Sequence, residues 1–279
     1  MTTILDALEK GTQYLTQKGL PDARLNMELL IAHELKLKRM DLYLRFDQPL
    51  EETQLHQLRN NLKKRGQRTP LQHITGSVDF HQSSFKSDER ALIPRPETEE
   101  LVEIILRQEF PKPARILDLG CGSGVLGLSL AKSLGNNCRE LVLADLSTEA
   151  LSLAGENADL LKTECSLIQT DLFSDLTGPF DLIAANLPYV AEKMRDELEP
   201  EVRHDPEMAL FSGADGLDCL RRFCSQCAQF LSPGGLAALE VGFDQGQVVA
   251  DLLTEGGLEN ATVESDLNGI ARFPLARKA

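Results

Sequence analysis

Two hydrophobic rhythms divide the chain. Through about residue 70, apolar positions recur at helical spacing. Ile4, Leu5, Leu8, Tyr14 and Leu15 mark one amphipathic stretch that Gly19 and Pro21 end. Leu25, Leu29, Leu30, Ala32 and Leu35 mark a second, which Asp22 is placed to cap. Asp41 to Leu44 suggests a short third helix. Pro49 opens a fourth, with Leu55, Leu58 and Leu62 inward and Glu51 and Glu52 in its first turn. From Pro70 the pattern turns extended. Leu71 to Gly76 and Ser84 to Lys86 read as the arms of a hairpin. Beyond Pro113, short apolar runs alternate with helical stretches, and that rhythm predicts a parallel sheet. Its strands are Arg115–Leu119, Leu141–Ala144, Ser166–Gln169, Phe180–Ala185 and Leu236–Val241, with a turn at 231–235 before the last. Helices are expected after residue 125, at 217–231 and at 245–253. Three segments follow: a helical domain over 1–70, a hairpin linker over 71–93 and a doubly wound catalytic domain over 94–279.

Composition narrows the function. The 279 residues are 42% hydrophobic and 26% charged, as in soluble globular proteins. No apolar run is long enough to span a membrane and the N-terminus has no secretory pattern, so the cytoplasm is expected. The net charge of −14 is uneven: +2 over residues 1–90 and −16 over the remainder. An acidic catalytic portion argues against broad nucleic-acid binding. The basic cluster Lys63, Lys64, Arg65 and Arg68 reads as a solvated helix end, and the acids between Glu192 and Glu207 as solvated too. Cys224 and Cys227 have metal or redox spacing. They also share one helical face with Leu220, Phe223 and Leu231, which favours buried thiols over zinc or a disulfide. His73 and His81 have no third ligand nearby, and no metal is expected.

The chemistry gathers at strand ends. The first strand carries Asp118 and runs into Gly120-Cys121-Gly122-Ser123-Gly124, whose glycines let the backbone approach a ligand. The second ends in Asp145, 25 residues after Gly120, placed to accept from ribose hydroxyls. The third ends at Asp171-Leu172. The fourth delivers Asn186-Leu187-Pro188-Tyr189, two potential acceptors and an aromatic face at one point. Arg95, between two prolines, reads as a site wall. Gly122, Gly124 and Gly127 also satisfy a dinucleotide pattern, which keeps a nicotinamide-dependent oxidoreductase as a rival.

These motifs, with Pro94-Arg95-Pro96-Glu97-Thr98 and Glu207 to Gly213, resemble the bacterial protein-(glutamine-N5) methyltransferases that modify peptide chain release factors. The resemblance runs nearly end to end. It implies a class I S-adenosylmethionine-dependent methyltransferase with a seven-stranded sheet, an N-terminal helical bundle for substrate recognition and a linking β-hairpin. Asp118, Gly120, Cys121, Gly122, Ser123, Gly124, Asp145, Asp171, Leu172 and Asn186 would border S-adenosyl-L-methionine. Asn186, Leu187, Pro188 and Tyr189 would hold the glutamine of the Gly-Gly-Gln loop of class 1 release factors. The enzyme is expected to act as a monomer, with no stable nucleic-acid or membrane partner. The family usually has proline where this chain has Leu187, and Asn-Leu-Pro-Tyr also occurs in ribosomal RNA adenine-N6 dimethyltransferases. RNA adenine methylation is therefore one alternative, and glutamine methylation of a ribosomal protein another.

Overall fold

A computed structural model describes residues 1–279 and divides them into two compact units. The first comprises Met1–Ser77 together with Glu199–His204, and the second the rest.

The first unit is helical. Its helices are α1 (Ile4–Gln17), α2 (Ala23–Leu35), α3 (Glu52–Gly66) and a short α4 (Leu71–Thr75), with a 3₁₀ turn over Arg39–Leu44. A capping box between Thr3 and Asp6 starts α1. Ile4, Leu8, Leu15, Leu30, Ile31 and Leu58 form the buried core. Three expectations need correction. Asp22 precedes α2 in a left-handed conformation and makes no side-chain cap. Residues 71–75 are helical rather than extended, because Leu71 and Ile74, three apart, pack together on the core. Arg65 is buried rather than solvated: its guanidinium donates to Asn26 Oδ1 at 2.7 Å and to Glu201 Oε1 at 3.1 Å. Glu201 also receives Arg68, at 3.2 Å, so at least this acid of the 192–207 segment is paired.

In the second unit a hairpin of β1 (Ser77–Phe80) and β2 (Ser83–Lys86), whose first residue still belongs to the helical unit, precedes α5 (Pro96–Leu106). The main sheet then alternates with helices: β3 (Ala114–Leu119), α6 (Val125–Leu134), β4 (Cys138–Asp145), α7 (Thr148–Leu161), β5 (Ser166–Gln169), β6 (Phe180–Asn186), α8 (Asp218–Phe230), β7 (Leu231–Glu240), α9 (Gly246–Glu255), β8 (Glu259–Ser265) and β9 (Ala271–Arg277). Seven strands lie in the order β5-β4-β3-β6-β7-β9-β8, with β9 antiparallel to both neighbours. Successive side chains of a strand face opposite sides. Ile116, Leu182, Ala184, Leu236 and Ala238 accordingly enter one core, while Leu117, Ile183, Ala185, Ala237 and Leu239 enter the other. Covered on both faces, the parallel strands can be apolar almost throughout. The turn expected at 231–235 is a bulge inside β7, between the pairs Phe180 with Leu231 and Leu182 with Leu236.

Cys224 and Cys227 lie buried on α8, where burial pushes the Cys224 thiol up to about 12 and the Cys227 thiol well above its usual value. No helix of the chain is long and apolar enough to cross a membrane.

Candidate active site

From β3 the strand order runs outward to β4 and β5 on one side and to β6 on the other, so a switch in winding direction separates β3 from β6. Open α/β sheets bind ligands in the crevice at such a point, beyond the carboxyl ends of the strands. A cavity of about 270 Å³ lies there. Its wall includes Asp118, Gly122, Asp145, Leu172 and Asn186, all anticipated from the sequence, and Arg95 with them. Gly120, Cys121, Ser123, Asp171, Leu187 and Pro188 complete the anticipated part of the lining. Gly124 and Tyr189 do not line it. Gly124 is the residue before α6, and Tyr189 packs against the apolar core of the other sheet face.

The acids at the strand ends have specific partners. Asp118 Oδ2 accepts from Gly127 N at 2.8 Å and is almost fully buried; burial lifts its carboxyl to about 7 against that hydrogen bond, and the Asp145 charge adds to the rise. Gly127 has no room for a side chain, since a Cβ there would lie 2.8 Å from the Asp118 Cβ. Asp145 accepts from Gly122 N at 2.9 Å and Ser147 N at 2.8 Å, and burial raises it as well. Asp171 is half-exposed and pairs with Arg222 at 2.7 Å.

The tetrapeptide is braced from both sides. Leu187 is buried, with Cδ2 only 2.8 Å from where a Cβ on Gly120 would sit. Gly120 also has φ +71, a conformation that costs an L side chain about 1–2 kcal/mol. Gly120→Ala should therefore lower stability in urea by roughly 2 kcal/mol or more. In a Leu187→Ala background, whose own cavity costs about 2–5 kcal/mol, Gly120→Ala should cost only the backbone part, about 1–2 kcal/mol. An undiminished cost of Gly120→Ala in that background would contradict that division. Beyond the loop, Gln245 Nε2 donates to the Tyr189 carbonyl at 3.0 Å. Burial pushes the Tyr189 phenol well above its usual value, so the ring stays neutral.

Three residues to which the sequence assigned no role complete the arrangement. Asp205, its side chain wholly buried, accepts from Arg95 Nη2 at 2.6 Å and from Ile93 N at 3.2 Å. It therefore corrects the solvated reading of its segment. Thr98, in the first turn of α5, donates to Glu240 Oε2 at 2.7 Å and accepts from Asn186 Nδ2 at 3.3 Å. Glu240 ends β7 directly beside Asn186 in the parallel register. An acid closing an apolar strand was the one available signal, the same that marked Asp118 and Asp145.

The chain is similar to known proteins over nearly its whole length. The family model described as the PrmC N-terminal domain covers residues 6–76, and the methyltransferase small domain covers 98–215. A release factor glutamine methyltransferase of Deinococcus radiodurans is 39% identical over 98% of both chains. One of Geobacter sulfurreducens is 37% identical over 97% of this chain and 95% of its own. The chain belongs to the release factor glutamine methyltransferase family.

Among solved structures, a methyltransferase from Pyrococcus furiosus has TM-score 0.52 at 16% identity, over 70% of this chain and 88% of that one. A T. thermophilus 16S rRNA methyltransferase in complex with AdoMet and guanosine has TM-score 0.51 at 19% identity, over 73% and 50%. Both show the fold alone, that of a class I methyltransferase. Family and fold together make the chain a methyltransferase with a doubly wound, seven-stranded sheet.

The donor set also weighs against the dinucleotide reading. A pyrophosphate needs free N–H groups in the glycine loop and at the helix start. Here Gly122 N and Gly127 N are bonded to Asp145 and Asp118. Carboxylates beside an apolar wall suit a cationic nucleoside instead.

Proposed function

We propose that the protein methylates the side-chain amide N5 of the glutamine in the Gly-Gly-Gln loop of class 1 peptide chain release factors, with S-adenosyl-L-methionine as donor. The observation that carries this reading is Asn186 at the cavity wall with its amide nitrogen bonded to Thr98, an arrangement that would leave its oxygen for an incoming amide. Asp118, the Gly120–Ser123 loop, Asp145 and the Asp171–Leu172 corner would hold the donor. When bound, the donor supplies a methyl group already activated by a positive sulfur.

The protein's own task is orientation. An amide nitrogen is a poor nucleophile because its lone pair is delocalised into the carbonyl. Acceptance of its two N–H bonds by Asn186 Oδ1 and the Leu187 carbonyl would shift density onto nitrogen and aim it, and alignment of this kind can be worth about 7–11 kcal/mol. Leucine at 187 keeps the carbonyl but lacks the fixed φ of a proline ring, and its side chain lies against Gly120. No general base adjoins the amide in this scheme: the proton leaves after transfer, when the nitrogen is acidic. The helical unit is assigned to recognition of the protein substrate, in the cytoplasm, where release factors work.

The test is transfer of labelled methyl to purified release factor, with a Gln→Ala variant of its Gly-Gly-Gln loop, ribosomal RNA and ribosomal protein alongside. Label on the wild-type factor alone is expected. Label on RNA or a ribosomal protein instead would replace the substrate.

A further inference from the structure

A carboxamide can turn either end toward a substrate, and only its oxygen accepts an amide N–H. Something must therefore set which way Asn186 points. Asn186 and Glu240 are partners across the parallel β6–β7 pair, so their side chains leave the sheet on the same face. Thr98 meets both from α5, donating to Glu240 Oε2 at 2.7 Å and receiving Asn186 Nδ2 at 3.3 Å. Thr98 and Glu240 are buried, with 4% and 1% of their surface exposed, so water cannot substitute for either partner.

A hydroxyl has one proton. An ionised carboxylate can only accept, so the Thr98 hydroxyl donates its one hydrogen bond to it and offers Asn186 nothing but lone pairs. Asn186 must then donate inward, and its oxygen faces the cavity. We propose that Thr98 and Glu240 are positioning residues, a two-step hydrogen-bond relay that fixes the polarity of the Asn186 carboxamide so that its oxygen meets the substrate N–H. This rests on the glutamine reading above and adds residues to it.

The relay makes Glu240→Gln informative, because the variant keeps the shape and gains a donor. Its amide can donate to Thr98, which lets Thr98 donate to Asn186 Oδ1 and turns the Asn186 NH2 toward the substrate. Methyl transfer to release factor by Glu240→Gln and Thr98→Val should show kcat reduced by about 10- to 100-fold. The KM for the donor should stay near wild type, and Thr98→Ser should retain most of the rate. The pH profile separates this role from a structural one. Burial, with the Glu97 charge adding, lifts Glu240 to about 7, while Thr98, Arg272 and Asn186 oppose the rise; Tyr189 faces the same carboxyl and stays neutral. The ionised form is the one that cannot donate, so wild-type kcat should rise through that region and Glu240→Gln should lack the rise.

Wild-type kcat in Thr98→Val, or an unchanged pH limb in Glu240→Gln, would overturn the relay. If Glu240→Gln does not fold, the comparison of Thr98→Val with Thr98→Ser decides. Absence of label on glutamine with the wild-type enzyme would instead overturn the substrate reading. The relay is then still tested without substrate by solvent exchange of the Asn186 side-chain NH2 in ¹⁵N spectra. Slow exchange in the wild type and faster exchange in Glu240→Gln are expected; equal exchange would overturn it.

Discussion

Asn186→Ala is expected to reduce methyl transfer by about a hundred- to a thousandfold, the range seen when one preorganised polar partner of a reacting group is deleted. The substitution removes the oxygen that would accept the substrate N–H, so the amide is neither aimed nor activated. It also withdraws the donor that Thr98 receives, at 3.3 Å, from a buried network, at a cost of about 1–3 kcal/mol in stability. The wall proposed to hold the donor is left intact: Asp118 keeps Gly127, and Asp145 keeps Gly122 and Ser147. Calorimetry should accordingly find S-adenosylmethionine bound with an affinity close to wild type, while single-turnover transfer to the release factor is lost. Equal turnover in the variant would remove Asn186 from the chemistry. Asn186→Asp makes a sharper companion. It is nearly isosteric, yet it sets a second carboxyl against the buried Glu240, where two like charges cannot both ionise cheaply. It too should be inactive, and less stable at neutral pH than the alanine variant.

The sheet was legible because its strands are buried on both faces, which leaves short apolar runs with an acid or amide at the end. Asp118, Asp145 and Asn186 are visible in this way, and all three line the cavity. What local pattern cannot carry is register. Glu240 closes β7 as an ordinary acidic residue, and it becomes part of the site only because parallel pairing brings it beside Asn186, 54 positions earlier. Thr98 stands inside a motif that was noticed, but its partners lie 88 and 142 residues away. Arg65 and Glu201 were read as solvated for the same reason: a charge run has no local sign that its counter-charge lies 136 residues on. The helix at 71–75 was missed on different grounds. Five residues are too few for periodicity to declare itself, and the packing of Leu71 and Ile74 on the core supplies what propensity does not.

The second large effect expected is on stability against pH, and its sign runs opposite to ordinary acid denaturation. Asp118 and Glu240 each titrate at about 7 in the folded protein, both chiefly because burial penalises the charged form. In the unfolded chain the same groups titrate near 4, so between about pH 4 and 7 the folded state binds more protons than the unfolded state. Stability is fully present below that window and is lost as pH rises through it. Ionising each group in the folded protein costs on the order of 3 to 4 kcal/mol, a large share of a total that is typically about 5–15 kcal/mol. Exposed acids held down by arginines, Glu156 beside Arg90 and Asp215 beside Arg221, titrate near 2 and act in the other direction. Their contribution disappears only as pH falls below about 4, so the two windows do not overlap. Urea unfolding without donor should therefore give a maximum near pH 4 and a decline that levels off above about pH 7. Asp118→Asn and Glu240→Gln should each flatten that decline, because an amide in the same place has no charge to bury. A wild-type profile level from pH 5 to 8 would mean that both carboxyls ionise in the folded protein at little cost, and would contradict the burial that raises them.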